Sequence, residues 1–177
     1  MILYATEKNF IKSTWKTFIL LVFTIFSCIV AGHHQFSFQV LLLTFAYSIY
    51  RSVENKKINK KFLATIIGGY LLAATISLVQ LIPTFQAFSQ SPRSSTSSAT
   101  VVEGYLVPVT HFILALTPDV FGNPGSYNYV GRGFYQEQVF YAGIIPLLFA
   151  VFAIRSWKQN SLIKFFTAAA IITYLAT

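Results

Sequence analysis

The feature that most constrains this chain is its longest uncharged apolar stretch, residues 62–83. An α-helix rises 1.5 Å per residue and a bilayer core is about 30 Å thick, so these roughly 22 residues are enough to cross it. Gly68-Gly69 and Ala73-Ala74 would let a neighbouring helix approach closely, and Pro83 is expected to end the helix. The stretch therefore predicts a membrane-spanning helix.

Other apolar runs flank this one, and the chain is 55% hydrophobic and only 10% charged, whereas an average soluble domain has about 25% charged residues. We predict an all-α integral membrane protein, a polytopic helical bundle with a long extracytoplasmic loop over residues 84–138. Residues 105–117, in that loop, are apolar but too short to cross, which predicts an interfacial helix. The predicted spans are residues 15–31, 36–50, 62–83 and 139–154, with a partial fifth at 165–177.

The first apolar run has an alternative reading as a signal peptide. Cleavage after Gly32 would match the small-residue pattern of such sites poorly, and a second apolar run follows at once. We therefore favour a retained helix, joined to the next helix by the polar turn Gly32-His33-His34-Gln35.

Charge is distributed unevenly between the predicted sides of the membrane. The formal charge is +2 before the first span, +4 over residues 51–61 and +3 over 155–164, but −1 over the loop 84–138. Cytoplasmic loops carry the excess of Lys and Arg. This pattern predicts a plasma-membrane protein with a cytoplasmic N-terminus, and with the long loop and the histidine turn on the outside. Because the basic residues lie in short clusters between apolar spans, we do not expect nucleic-acid binding.

Two carboxylates in the long loop are the candidate catalytic groups. Asp119 and Glu137 could take a proton from an acceptor hydroxyl, or hold a divalent cation, which is the one cofactor that the loop suggests. The alternative for Asp119 is a turn cap, since Pro118-Asp119 precedes Gly122-Asn123-Pro124. The alternative for Glu137 is a rim residue at the mouth of the fourth helix.

Candidate substrate-binding and phosphate-binding residues lie on the same predicted side. A guanidinium can bind a phosphate through two parallel hydrogen bonds, although a solvated loop arginine is the alternative. Adjacent histidines in a turn rarely point the same way, so no metal site is assigned. The candidates are His33, His34, Arg93, Asn123, Arg132 and Tyr135.

The order of several short motifs resembles the bacterial YfhO-type membrane protein family. The resemblance rests on Ala31-Gly32-His33-His34-Gln35, on Gln80-Leu81-Ile82-Pro83-Thr84, on Ser94-Ser95, on the run from Pro118 to Pro124, and on Asn128-Tyr129, Glu137 and Tyr141-Ala142-Gly143. It covers nearly the whole chain.

That family is similar to polytopic glycosyltransferases of the GT-C type. The resemblance implies transfer of a sugar from a polyprenyl-phosphate carrier to an extracytoplasmic acceptor such as lipoteichoic acid. Such proteins are several times longer, and their catalytic Asp is expected in a first outside loop that matches no residue before Gly32. We therefore expect a piece of the membrane domain, in which Asp119 and Glu137 support a base located elsewhere.

Two alternatives belong to other functional classes. The first is a non-catalytic membrane protein, such as a transporter or an assembly factor. A transporter would usually carry an ionisable residue inside a span, and the four complete predicted spans have none. The second is an inactive remnant of a truncated gene, because the last apolar run stops after about 13 residues, too few to cross a bilayer.

Overall fold

A computed structural model describes residues 1–53, 59–91, 109–131, 135 and 141–175. Within these residues the fold is all-helical and contains no strand, which confirms the predicted helical class. The chain divides into two compact units, residues 1–91 and 92–177. The α-helices of the first unit are α1 (Ile2–Ile11), α2 (Trp15–Val30), α3 (His34–Val53) and α4 (Lys60–Ser89). Those of the second are α5 (Ile144–Ile154) and α6 (Ser161–Leu175).

Helix α1 was not predicted, because its buried face is partly polar. Ile2, Ala5, Thr6 and Asn9 recur at the spacing of one helix face, and all four are buried. The Asn9 side chain donates to the carbonyl of Thr17 (2.8 Å) and accepts from the Thr17 hydroxyl (3.0 Å). These bonds satisfy the buried amide and hold α1 against the start of α2.

Helices α2 and α4 make the most extensive contact in the first unit. A Cβ added to Gly69 would lie 2.8 Å from a terminal methyl of Leu21, so the glycine is what lets α2 come this near. Ala73, one turn further along, is fully buried. The predicted role of this small-residue stretch in close helix approach is confirmed.

The prediction that Pro83 ends α4 is wrong, because the helix continues to Ser89. A proline removes one backbone donor, yet a helix that is otherwise favourable can continue past it. The Thr84 hydroxyl donates to the carbonyl of Gln80 (2.8 Å), one turn back. The region outside the helix therefore begins about six residues later than the sequence indicated.

In the second unit, residues 139 and 140 of the predicted span 139–154 lie outside the described residues, and in the described part the helix begins at Ile144. Gly143 precedes the helix with φ +90°, a conformation that L side chains rarely adopt. Pro146 lies in the first turn, where its missing N–H would have had no helical partner. Helix α6 begins earlier than predicted, because the Asn160 side chain accepts from the backbone N–H of Leu162 (2.9 Å).

The predicted interfacial helix over 105–117 corresponds, in its described part, to a 3₁₀ helix at Val109–Ala115. Side chains three residues apart share a face of such a helix. His111 and Leu114 are accordingly buried together, while Phe112 and Ile113 are exposed.

Candidate functional site

The loop after this 3₁₀ helix is built by a set of interlocking turns. Gly122 has φ +80°, and a Cβ there would lie 2.1 Å from the carbonyl oxygen of Asn128, so only glycine fits. The Asn128 side chain accepts from the backbone N–H of Asn123 (2.9 Å), and the N–H of Val130 donates to the carbonyl of Phe121 (2.8 Å). These contacts fix the backbone on which Asp119 and Asn123 stand.

Asp119, Asn123 and Tyr135, three of the predicted site residues, meet in one hydrogen-bonded group, which we call the Asp119 cluster. One oxygen of Asp119 accepts from the Tyr135 hydroxyl (3.0 Å) and from the side-chain amide of Asn123 (3.2 Å). The same amide lies 3.2 Å from the Tyr135 hydroxyl oxygen. Asp119 is exposed, whereas Asn123 and Tyr135 are half-buried.

The geometry bears on the alternative that Asp119 caps a turn. The backbone carbonyl of Asp119 closes the turn by accepting from the N–H of Gly122 (3.0 Å). Its carboxylate accepts from the two side chains instead, while the side chain of Asn123 caps the next turn by accepting from the N–H of Gly125 (2.7 Å). The turn is therefore stabilised by backbone and asparagine groups, and the carboxylate orients Tyr135.

The contact with Asp119 changes the pKa of Tyr135. The pKa of Tyr135 is raised above its ordinary value, first because its hydroxyl donates to the Asp119 carboxylate and secondarily because of desolvation and the nearby negative charge. Tyr135 therefore remains a neutral hydroxyl donor across the physiological pH range. Its ring also packs edge-to-face against Tyr129, with centroids 5.4 Å apart.

His111 lies in the 3₁₀ helix before this loop and is not among the predicted site residues. It is buried, and its ring stacks on Phe121 with centroids 4.6 Å apart. Its Nδ1 atom is buried without a hydrogen-bond partner. The histidine supports Phe121, which precedes the Gly122 turn.

The remaining predicted site residues lie elsewhere. His33 and His34 are exposed in the first unit: His34 is the first residue of α3, and the carbonyl of His33, just before it, accepts from the N–H of Ser37 (3.0 Å). The His33 ring packs on Phe36 with centroids 4.3 Å apart. Arg93, Arg132 and Glu137 fall outside the described residues.

A second polar group, at Glu7, was missed by the sequence reasoning. Arg51 donates from Nε to one oxygen of Glu7 (2.8 Å) and from a terminal nitrogen to the other (2.9 Å), and the Tyr47 hydroxyl also donates to the carboxylate. The Arg51 guanidinium lies over the Phe10 ring at 4.3 Å. In the sequence, Glu7 is a single acidic residue in a basic segment. The neighbouring residues do not indicate that its partner is Arg51, 44 residues away.

Burial and hydrogen bonding change the pKa of Glu7 in opposite directions. Partial burial acts to raise the pKa of Glu7, but the hydrogen bonds from Arg51 and Tyr47 and the positive charge of Arg51 together outweigh burial, so the pKa is lowered. Glu7 is therefore ionised at neutral pH and pairs with Arg51. This pair ties α1 to the C-terminal end of α3.

Across the described part of the chain, no three His, Cys, Asp or Glu side chains are grouped as metal ligands would be. One helix, Lys60–Ser89, is long and apolar enough to cross a membrane, and shorter apolar helices occur at Trp15–Val30, Ile144–Ile154 and Ser161–Thr173. No protein-family model, curated protein or solved structure matches this chain.

Proposed function

We propose that the chain is a multi-pass helical part of a bacterial plasma-membrane protein. The distribution of buried and exposed side chains on α3 supports this proposal. The buried side chains of α3 are mostly hydroxyl-bearing, and several large apolar side chains face outward. Buried are Ser37, Thr44, Tyr47, Ser48 and Ser52; exposed are Phe36, Phe38, Val40, Leu42, Ile49 and Val53. A helix on a soluble protein has the reverse arrangement. Small hydroxyl residues at contacts and large apolar residues outside are typical of helices in lipid.

The buried hydroxyls are also hydrogen-bonded as a lipid environment requires. The Ser37 hydroxyl donates to the carbonyl of Cys28 (2.6 Å), which joins α3 to α2. The Thr44 and Tyr70 hydroxyls lie 2.6 Å apart, and Tyr70 also donates to the carbonyl of Leu41 (3.0 Å), which joins α3 to α4. These interhelical bonds support a bundle whose outer surface contacts hydrocarbon.

The ends of the first unit differ in charge, which supports a cytoplasmic N-terminus. Glu7 pairs with Arg51, and Phe10 packs against Phe62 at 5.2 Å. These contacts put the second half of α1 at the end where α2 and α4 begin and α3 finishes. Residues 17–50 and 62–91, which include the opposite end, contain no Asp, Glu, Lys or Arg. The basic end fits the cytoplasmic side.

We further propose that the protein of which this chain is part transfers a sugar from a polyprenyl-phosphate carrier to an extracytoplasmic acceptor such as lipoteichoic acid or another surface polymer. The Asp119 cluster is the observation that carries this proposal. Sugar hydroxyls are recognised by oriented donors and acceptors, and the cluster offers a carboxylate, an amide and a neutral phenol within 3.2 Å of one another.

In the transfer, an acceptor oxygen attacks the anomeric carbon of the donor sugar, the bond to the carrier phosphate breaks, and the acceptor proton passes to a base. The resemblance to GT-C-type enzymes assigns that base to an Asp outside this chain. Here Asp119 holds the acceptor hydroxyl in place through Asn123 and Tyr135, with Glu137 in support. Arg93 and Arg132 are proposed to contact the carrier phosphate, because a guanidinium suits its charge.

The test is sugar transfer in bacterial cells that lack the complete gene and receive it back with Asp119→Asn. We expect transfer to fall roughly 100-fold, the cost of misplacing a reacting group, while the amount of protein in the membrane fraction stays normal. Ser126→Ala, an exposed position in the same loop, is the matched control and should retain transfer. Sugar content of the extracted envelope polymer is the readout, and near-normal transfer by Asp119→Asn would overturn the role of the cluster.

A further inference from the structure

Helix α1 has two faces of different character. The inward face buries Ile2, Ala5, Thr6 and Asn9 against the first unit. The outward face, together with the start of α2, carries exposed aromatic, aliphatic and cationic side chains. These are Tyr4, Lys8, Ile11, Lys12, Trp15 and Lys16, which we call the α1 outer face.

The α1 outer face carries positive charge only. Glu7, the acidic residue of this segment, is turned inward and held by Arg51 through two hydrogen bonds. Within the part of the chain that the structure describes, Lys8, Lys12 and Lys16 form no ion pair. All three lysines are exposed, so their ammonium groups can reach an external anion.

Aromatic side chains accompany the lysines. The Lys8 ammonium lies 5.3 Å from the centre of the Tyr4 ring, and that of Lys16 lies 5.8 Å from the centre of the Trp15 ring. Trp15 is 69% exposed although it begins an apolar helix. Tyr and Trp are enriched at the headgroup level of membranes, where one side of the ring is apolar and the other is wet.

We infer that the α1 outer face binds the anionic headgroups of phospholipids, an inference that rests on the membrane placement proposed above. The lysines contact headgroup phosphates and the aromatic rings lie at the boundary with the acyl chains. The Glu7–Arg51 pair contributes by neutralising the negative charge of Glu7, which would otherwise repel the same headgroups. Lys60 and Lys61, exposed at the start of α4, extend the positive surface at this end.

The experiment uses the full chain with Trp157→Phe, so that Trp15 is the single tryptophan. The protein is reconstituted into equimolar phosphatidylcholine and phosphatidylglycerol, with one of the two lipids brominated as a quencher. Brominated phosphatidylglycerol should quench Trp15 more strongly, with an apparent preference of at least about fivefold, which is what one lysine near an anionic surface confers. One molar salt should reduce the preference.

Replacing all three lysines of the face (Lys8→Gln, Lys12→Gln and Lys16→Gln) should remove most of the preference and leave only the part that Lys60 and Lys61 contribute. The matched control removes the same charge from the second unit (Arg155→Gln, Lys158→Gln and Lys164→Gln) and should keep the parent preference. Equal quenching by both lipids in the parent protein overturns the inference, and so does a triple lysine variant that keeps the full preference.

A separate measurement distinguishes this failure from failure of the membrane placement. Vesicle flotation after alkaline washing reports whether the chain is integrated in the bilayer. If the protein floats with the vesicles but Trp15 shows no lipid preference, only the headgroup inference is overturned. Protein that is washed from the vesicles overturns the membrane placement and the inference with it.

Discussion

The two units of this molecule are ordered by different means. In the first unit, helices bury one another, and the core includes Leu21, Ile25 and Ile66. In the second unit, α5 has no buried residue, and hydrogen bonds hold the turns of the loop around Asp119, beside the small buried contact of His111 and Leu114. We therefore expect the first unit to respond to changes in packing, and the second to changes in local polar contacts.

This difference also separates stability from function. A helix–helix core transmits a misfit through close-packed neighbours. A solvent-facing polar loop can lose a hydrogen bond without loss of the fold, while its chemistry changes. The two tryptophans, Trp15 in the first unit and Trp157 in the second, allow each unit to be followed by itself when the other tryptophan is replaced by Phe.

The largest expected effect is that of Gly69→Leu. The added side chain must displace Leu21, whose methyl would lie 2.8 Å from the new Cβ, and Leu21 is fully buried. We expect the first unit to lose about 1–3 kcal/mol of stability, measured by denaturant titration of Trp15 fluorescence in detergent. Gly68→Leu is the matched control, since the nearest side-chain atom to its Cβ is 4.0 Å away.

A similar loss from both glycine variants would show that α2 and α4 are not packed as described. A shift in the Trp157 signal as large as that of Trp15 would contradict the separate responses of the two units.

A smaller effect is expected from Glu7→Gln. The pair is partly exposed, with 28% and 18% of the side chains of Glu7 and Arg51 accessible. We therefore expect a loss toward the lower end of the roughly 1.5–3 kcal/mol that hydrogen bonds to charged groups contribute. Denaturant titration at pH 7 checks it, and a double-mutant cycle with Arg51→Gln isolates the coupling between the two side chains.

The pH dependence of that difference has a defined sign. Because the pKa of Glu7 is lowered in the folded state, the stabilisation is complete above the ordinary carboxyl pKa and is lost as the pH falls through the folded-state pKa. The parent protein should therefore approach Glu7→Gln in stability under acidic conditions. A difference that persists unchanged at low pH would contradict ionisation of Glu7 as its cause.

Tyr70→Phe should cost the first unit less, about 1 kcal/mol. The variant removes the hydroxyl that meets Thr44 and donates to the carbonyl of Leu41. Tyr127→Phe, at a tyrosine that is 98% exposed, controls for loss of a hydroxyl without loss of an interhelical contact. Equal effects of the two variants on the Trp15 transition would show that the hydroxyl bonds between helices contribute little.

The smallest effect on stability is expected from Asp119→Asn. This substitution should instead change the pKa of Tyr135. With ¹³C-labelled tyrosine rings, NMR should show Tyr135 deprotonating above the usual tyrosine pKa, and Asp119→Asn should lower that pKa toward its ordinary value. The NMR signal of Tyr135 is assigned as the one that is missing in Tyr135→Phe. An unchanged tyrosine titration in Asp119→Asn would contradict the contact between the two side chains.

Apolar runs and small residues predicted much of the first unit. Helices occur close to residues 15–31, 36–50 and 62–83, and Gly69 permits the close approach that was expected of it. Helix α1 escaped prediction because Thr6 and Asn9, which look exposed in a sequence, are buried and polar. Continuation of α4 past Pro83 depends on the rest of the helix, which the local proline signal does not report.

The same contrast holds for the polar sites. Asp119, Asn123 and Tyr135 are within 16 residues of one another, and turn-forming residues indicated that they share one loop. The Glu7–Arg51 pair joins residues 44 apart and depends on how α1 and α3 pack. Local turn chemistry can be read from a sequence, whereas a pair set by tertiary packing cannot.

The most direct test of the central claim, a basic cytoplasmic end and an extracytoplasmic Asp119 loop, is cysteine labelling in intact cells. With Cys28→Ser as background, Ser13→Cys and Ser126→Cys each provide one thiol at an exposed position. A membrane-impermeant maleimide should label Ser126→Cys in intact cells, and Ser13→Cys only after the membrane is permeabilised. Labelling of both thiols in intact cells, or in the reverse order, would contradict the account.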